Sequence, residues 1–181
     1  MWLPIAWTVF GAAFVWNHLR IRLRRSSEPE KRVHRDPSSN WGLLLQAAGV
    51  FVLLAFPVPH RVRWDLFAAT IAGVSIGLTF SALHHLGRQW RIQAVVTDDH
   101  ALITSGPYSW VRHPVYLAFL GMFVATAMAR ASAWSGLTAV AIFLVGTAIR
   151  IRAEDRILSA AFPNQFPAYR DRVGALFPKL R

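Results

Sequence analysis

Five apolar runs, set apart by loops crowded with arginine, constrain this chain more than any other feature of its sequence. They extend from Trp2 to Leu19, Trp41 to Phe56, Trp64 to Leu86, Val115 to Ala129 and Trp134 to Ile149. As a helix rising about 1.5 Å per residue, the first covers about 27 Å of a hydrocarbon core about 30 Å thick. The second stops at Pro57 and Pro59 before the third resumes, and the fourth and fifth are joined by the tight Arg130 to Ala133 turn, so each pair reads as a helical hairpin. With 54% hydrophobic residues and a mean hydropathy of +0.34, the chain is too apolar for an ordinary water-soluble domain. The expected fold is an all-α integral membrane protein: a single domain over residues 1–181, with five transmembrane helices, cytoplasmic connectors and a C-terminal cytoplasmic helix.

Charge supplies the orientation. Of the twenty Lys and Arg, five crossings leave only Arg61, Arg63 and Arg130 on the side opposite the 20–40 loop, the 87–114 connector and the 150–181 tail. The positive-inside rule then puts the N-terminus outside and the C-terminus in the cytoplasm. The formal charge of +11 invites a nucleic-acid reading, but the arginines lie between apolar runs rather than along one helix or arm, so no nucleic acid is expected as a partner. Met1 to Trp16 carries no charge, unlike the start of a signal peptide, and reads as a retained anchor. Ala69, Gly73, Gly77 and Ser81 recur every four residues in the third run, a small-residue stripe expected to seat another helix of the bundle rather than a second copy. The oligomeric state does not follow from it. Having no cysteine, the chain cannot form disulfides, thiolate metal sites or a cysteine nucleophile.

Chemistry has two places to reside, the 87–114 connector and the 150–181 tail, which the 115–149 hairpin returns to one membrane surface. In the connector, Gly106-Pro107 marks a turn and Pro114 suits the first turn of the fourth helix, which puts Arg112 and His113 at a helix start. Such a terminus offers unpaired N–H groups and favours a carboxylate. The plainer alternative has Arg112 reaching to lipid headgroups and His113 capping the helix. In the tail, Arg150 and Glu154 stand four apart on one helix face. Surface ion pairs of that kind are worth only about 0.3–0.5 kcal/mol; a charge at the membrane boundary, as Arg150 is, costs more without a partner. His84 and His85 are adjacent and point to different faces, so they do not chelate a metal as a pair four apart does. No glycine-rich nucleotide fingerprint, phosphate loop or serine elbow is present, and no metal site is expected.

Leu86-Gly-Arg-Gln-Trp90, Gln93, His100-x-Leu102-Ile103, Gly106-Pro-Tyr108, Arg112-His-Pro-x-Tyr116, Arg150-x-x-x-Glu154 and the ending from Phe162 to Leu180 together resemble the isoprenylcysteine carboxyl methyltransferase family, in its short prokaryotic-type form, over roughly the last hundred residues. What the resemblance implies is a methyltransferase of a bacterial or archaeal cell membrane with an S-adenosylmethionine pocket closed by cytoplasmic connectors. A lipophilic acceptor would enter that pocket from the bilayer, between helices. Carried over residue by residue, the cofactor falls to Gln93, His100, Ala101, Leu102, Ile103, Tyr108, His113, Pro114, Val115, Tyr116 and Glu154. Arg150 grips the acceptor carboxylate, and Arg112 either orders the pocket or binds the methionyl carboxylate. Two departures bear on acceptor choice: Glu154-Asp155 stands where many relatives have two glutamates, and Phe162-Pro163 followed by Phe166 and Tyr169 replaces Phe-Gly followed by two tyrosines. Phospholipid amine methylation, small-thiol methylation and a non-catalytic membrane scaffold or lipid-binding protein are the alternatives. An amine acceptor must lose a proton, to His100, His113 or Glu154. A scaffold gives Gln93, Tyr108, Arg150 and Glu154 no task.

Overall fold

A computed structural model describes residues 2–23, 34–56, 64–87, 95–96 and 101–179. Among these residues six α-helices follow one another: α1 (Trp2–Leu23), α2 (Ser38–Ala55), α3 (Asp65–Leu86), α4 (Pro114–Arg130), α5 (Ala133–Ala161) and α6 (Phe166–Arg172). Their boundaries have local causes. Pro114 occupies the first turn of α4, where a missing N–H costs nothing. Ser132 and Ser135 form a reciprocal capping box that opens α5 after a two-residue turn, each side chain accepting the other's backbone N–H at 3.1 Å.

α4 lies at the centre. It packs along α3 on one side and against α5 on the other, while α2 runs along α5 and α1 along α3. Phe10 of α1 meets Phe119 of α4 edge-on at 4.8 Å, and Phe123 of α4 stacks on Phe143 of α5 at 4.5 Å, so α4 joins the two halves of the core. The α2–α5 crossing is close enough to exclude a Cβ: one added to Gly42 would meet the Gly146 carbonyl at 2.6 Å and Arg150 Cγ at 2.5 Å.

Among the described residues, three helices are long and apolar enough to cross a membrane, α2, α3 and α5, and α4 is a shorter apolar helix. α1 matches α3 in length, but Arg20 and Arg22 lie in its last turn. α5 runs on past the end of the fifth apolar run at Ile149, unbroken through Arg150, Glu154 and Asp155 to Ala161, so Arg150 and Glu154 do share one helix; charge sets where a helix leaves lipid, not where its hydrogen bonds stop. One expectation needs correction: the Ala69–Gly73–Gly77–Ser81 stripe is not the packing face. Gly73 and Gly77 are exposed, with nothing within reach of an added Cβ, and the buried face is Ala68, Ala72, Ser75, Thr79 and Ala82.

The polar connectors gather at one end. A two-residue strand β1 (His34–Arg35) pairs antiparallel with β2 (Val95–Val96), tying the loop before α2 to the connector before α4. Asp36 accepts from Arg156 Nε at 2.8 Å, and Arg156 Nη2 also donates to Ser38 Oγ, which fastens the same loop to the far turns of α5. Nothing in the local spacing of an all-α sequence pattern announces either link.

Candidate active site

The site grows from the Gly106–Ser109 3-10 turn. Gly106 has φ +59°, and a Cβ there would run into the His85 ring, so the turn is pressed against the end of α3 in a conformation only glycine holds easily. Pro107 and Tyr108 are buried behind it. The chain then extends through Val111 to His113, and the carboxyl-terminal tail lies beside it. Val111 bridges Gly174 in parallel, Arg112 N–H donates to the Gly174 carbonyl at 2.8 Å, and His113 N–H to Ala175 at 3.0 Å. Tyr169 of α6 donates its hydroxyl to the Tyr108 carbonyl at 2.7 Å from a cluster with Phe166 and Val173, against which Leu102 packs.

On this frame six side chains form one continuous string. Arg112 Nη2 donates to Asp155 Oδ2 at 2.8 Å, and Asp155 Oδ1 faces His113 Nε2 at 2.9 Å. His113 Nδ1 lies 3.3 Å from Glu154 Oε2. Tyr116 donates to Glu154 Oε1 and accepts from Arg150 Nε at 2.9 Å, with the Arg150 guanidinium carbon 5.4 Å from the Tyr116 ring centre. Arginines thus close both ends of a chain whose interior alternates carboxylate with imidazole or phenol. His113, Tyr116 and Arg150 are buried, while Glu154 keeps 27% and Asp155 18% of the side chain exposed.

Electrostatics follow from that order. Burial disfavours the His113 imidazolium, but hydrogen bonds to Asp155 and Glu154 and their negative charge outweigh it, so its pKa lies above the usual imidazole value. A carboxylate at each ring nitrogen favours the form protonated on both. The His113 side chain therefore does not cap α4, and the first turn of that helix keeps uncapped N–H groups. Arg112 spends Nη1 on the Val173 and Arg170 carbonyls and Nη2 on Asp155, while its buried Nε has no partner among the described residues. Burial also raises the Tyr169 phenol, to about 12, so it stays a neutral donor.

Of the residues singled out from sequence, the structure brings Arg112, His113, Tyr116, Arg150 and Glu154 into direct linkage. Pro114 and Val115 form the first turn of α4 beneath them, Tyr108 joins through its backbone carbonyl, and Ala101, Leu102 and Ile103 make the run that leads into the turn. Gln93 and His100 lie outside the described residues. Sequence reasoning missed Asp155, which holds both Arg112 and His113. It also missed residues 173–175 of the tail, whose carbonyls hold the Arg112-His113 backbone and the Arg112 guanidinium. The signal for Asp155 was its adjacency to Glu154; the ending from Phe162 to Leu180 belonged to the family pattern, but nothing in it singled out residues 173–175, since carbonyls carry no side-chain signature.

Residues 68–160, spanning α3 to α5 and the whole string, match the model of the isoprenylcysteine carboxyl methyltransferase family. Among curated proteins the chain is 36% identical to the cobalt-zinc-cadmium resistance protein CzcN of Cupriavidus metallidurans over 132 residues, 72% of this chain and 60% of that one. It is 34% identical to the nickel-cobalt-cadmium resistance protein NccN of Alcaligenes xylosoxydans xylosoxydans, covering 71% and 60%. To the protein-S-isoprenylcysteine O-methyltransferase of Saccharomyces cerevisiae it is 28% identical over 112 residues, 62% of this chain and 44% of the yeast protein. The chain therefore spans about 60% of the length of the two bacterial relatives. With its apolar helices and the match across the site, this integral membrane protein belongs to the isoprenylcysteine carboxyl methyltransferase family.

Proposed function

We propose that this protein transfers a methyl group from S-adenosylmethionine to the carboxylate of a lipophilic acceptor that reaches the site from the bilayer. The polar end is taken as cytoplasmic, and α1 as the fifth span, with the N-terminus outside, in a bacterial or archaeal cell membrane. The observation that carries this reading is the string from Arg150 to Arg112 at the start of α4.

The donor set suits the cofactor. The uncapped first turn of α4 offers N–H groups to a methionyl carboxylate, and Glu154, still partly open, has acceptor capacity for an ammonium or ribose hydroxyls. Gln93, His100, Ala101, Leu102, Ile103, Tyr108, Val115 and Tyr116 complete the binding set that the family pattern implies. When bound, S-adenosylmethionine supplies an electrophilic methyl on a sulfonium. This chain's own work is to orient and to exclude water, because in-line displacement depends on alignment. An acceptor α-carboxyl, with an ordinary pKa of about 3.5, is ionised without help. Arg150 holds it by a planar contact, its own position steadied by Tyr116 and by Gly42. Arg112, its fork occupied by Asp155 and tail carbonyls, serves as the positioning group of the pocket.

Amine methylation is the second reading: it needs a proton acceptor, and because the carboxylates at both ring nitrogens favour the protonated form of His113, within the string that role would fall to Glu154. Membranes containing the protein, given S-adenosylmethionine labelled in its methyl group, are expected to yield a product whose label is released by mild base, as from a methyl ester. A base-stable product would overturn carboxyl methylation, and absence of S-adenosylmethionine binding in calorimetry would overturn catalysis altogether.

A further inference from the structure

Between α1 and α3, at the polar end and sharing no residue with the string, lies a second cleft of about 330 Å³. Ala13, Trp16, Asn17 and Arg20 fall on one face of α1 by their spacing, and Phe80 and His84 face them from α3. Ala13 makes the room, being too small to fill the gap. Asn17 is the unusual member. It is only 5% exposed, yet among the described residues its buried amide nitrogen has no hydrogen-bond partner. Buried polar groups are ordinarily paired, so an unpaired amide in the wall of a cleft is a donor in want of an acceptor.

What that partner is follows from the lining. Arg20 brings a permanent positive charge, and the imidazole of His84 donates through one ring nitrogen in either tautomer. No Asp or Glu lines the cleft among the described residues, so nothing there would receive an ammonium. Three donors around one cleft, without an acidic counterpart among the described residues, suit an anion with several oxygens, and a guanidinium fits phosphate geometry. The rim is apolar: Trp16 is 66% and Phe80 46% exposed, on helices whose outer faces carry further exposed apolar side chains. Tryptophan at a membrane boundary sits at headgroup depth.

We propose that this cleft binds the phosphate of an anionic membrane lipid, with Asn17 and Arg20 donating to its oxygens, His84 closing the mouth, and the acyl chains lying over Trp16 and Phe80. The proposal is independent of methyl transfer; it needs only that this end of α1 and α3 meet the membrane surface.

The purified full chain in detergent is titrated with dioleoyl phosphatidylglycerol, dioleoyl phosphatidylcholine and soluble glycerol 3-phosphate, following lipid retention by native mass spectrometry and Tm by thermal unfolding. Phosphatidylglycerol should bind about tenfold more tightly than phosphatidylcholine and raise Tm, while glycerol 3-phosphate does neither. Asn17→Leu and Arg20→Gln should each abolish that preference. Asn17→Leu, having lost an unpaired buried amide, should be at least as stable as the parent without lipid, so loss of lipid binding in it cannot be put down to misfolding. Equal binding of the two lipids, or full preference in Asn17→Leu, would overturn the site. An effect reproduced by glycerol 3-phosphate would overturn its assignment to a lipid.

Discussion

Arg150 and Glu154 divide the proposed labour in a way that kinetics and binding separate. Arg150→Ala should nearly abolish methylation while S-adenosylmethionine affinity stays close to that of the parent, and Arg150→Lys should recover little, because an ammonium lacks the planar two-pronged grip. Normal turnover in Arg150→Ala, or a cofactor loss matching the activity loss, would refute the carboxylate clamp. Glu154→Gln removes a charge-assisted contact worth about 1.5–3 kcal/mol, so the dissociation constant for S-adenosylmethionine should rise roughly tenfold to a hundredfold in calorimetry. The His113 pKa is raised in the folded chain, so its contribution to stability is complete below the unfolded value of about 6.5 and fades as pH rises through the folded value. Tm should therefore fall on raising pH from 6 toward 9, and Asp155→Asn should flatten that slope; a slope unchanged in Asp155→Asn counts against the coupling. Five members of the string were legible as candidates because side-chain type and spacing advertise them. Asp155 stood out only as a departure from the family pattern, since its pairing with Arg112 spans 43 positions that no local period reports.

Helices were legible to within a turn wherever a proline, a serine cap or a change of charge marks an end, as at Pro114 and Ser132. Apolar run and helix, or small-residue stripe and packing face, part company where two criteria separate. The fifth apolar run and α5 share a start but not an end, and the stripe on α3 shows that small residues identify a surface able to pack without saying that anything packs there. The pairing of α2 with α5 was equally hidden, because Gly42 and Gly146 lie about a hundred residues apart. It makes a prediction of its own. Gly42→Ala places a methyl against Arg150 Cγ and the Gly146 carbonyl, an overpacking that costs about 1–3 kcal/mol. Because Arg150 is the softer neighbour, turnover should drop several-fold while S-adenosylmethionine affinity holds. An equal loss of both would mean the whole crossing shifts and Gly42 has no particular tie to Arg150.

For the assembled protein, apolar length and the placement of arginine sufficed to foresee a helical membrane domain whose polar connectors converge at one surface, since both follow from the energetics of lipid. They could not supply the β1–β2 ladder or the Asp36–Arg156 bridge, which arise only once those connectors are neighbours. The inferred orientation is open to a direct check: a reporter active only outside the cytoplasm should work when fused near Pro59 and fail near Thr97 or at Arg181, and the reverse pattern would put the string on the wrong side of the membrane. One contact reaches beyond geometry into biosynthesis. Arg112 and His113 are held by carbonyls of residues 170–175, some sixty positions later in translation. Every helix of the bundle can therefore be inserted while the site is still unmade. A nascent chain stalled within α5 would leave the Arg112 guanidinium and the Arg112-His113 backbone without these carbonyls.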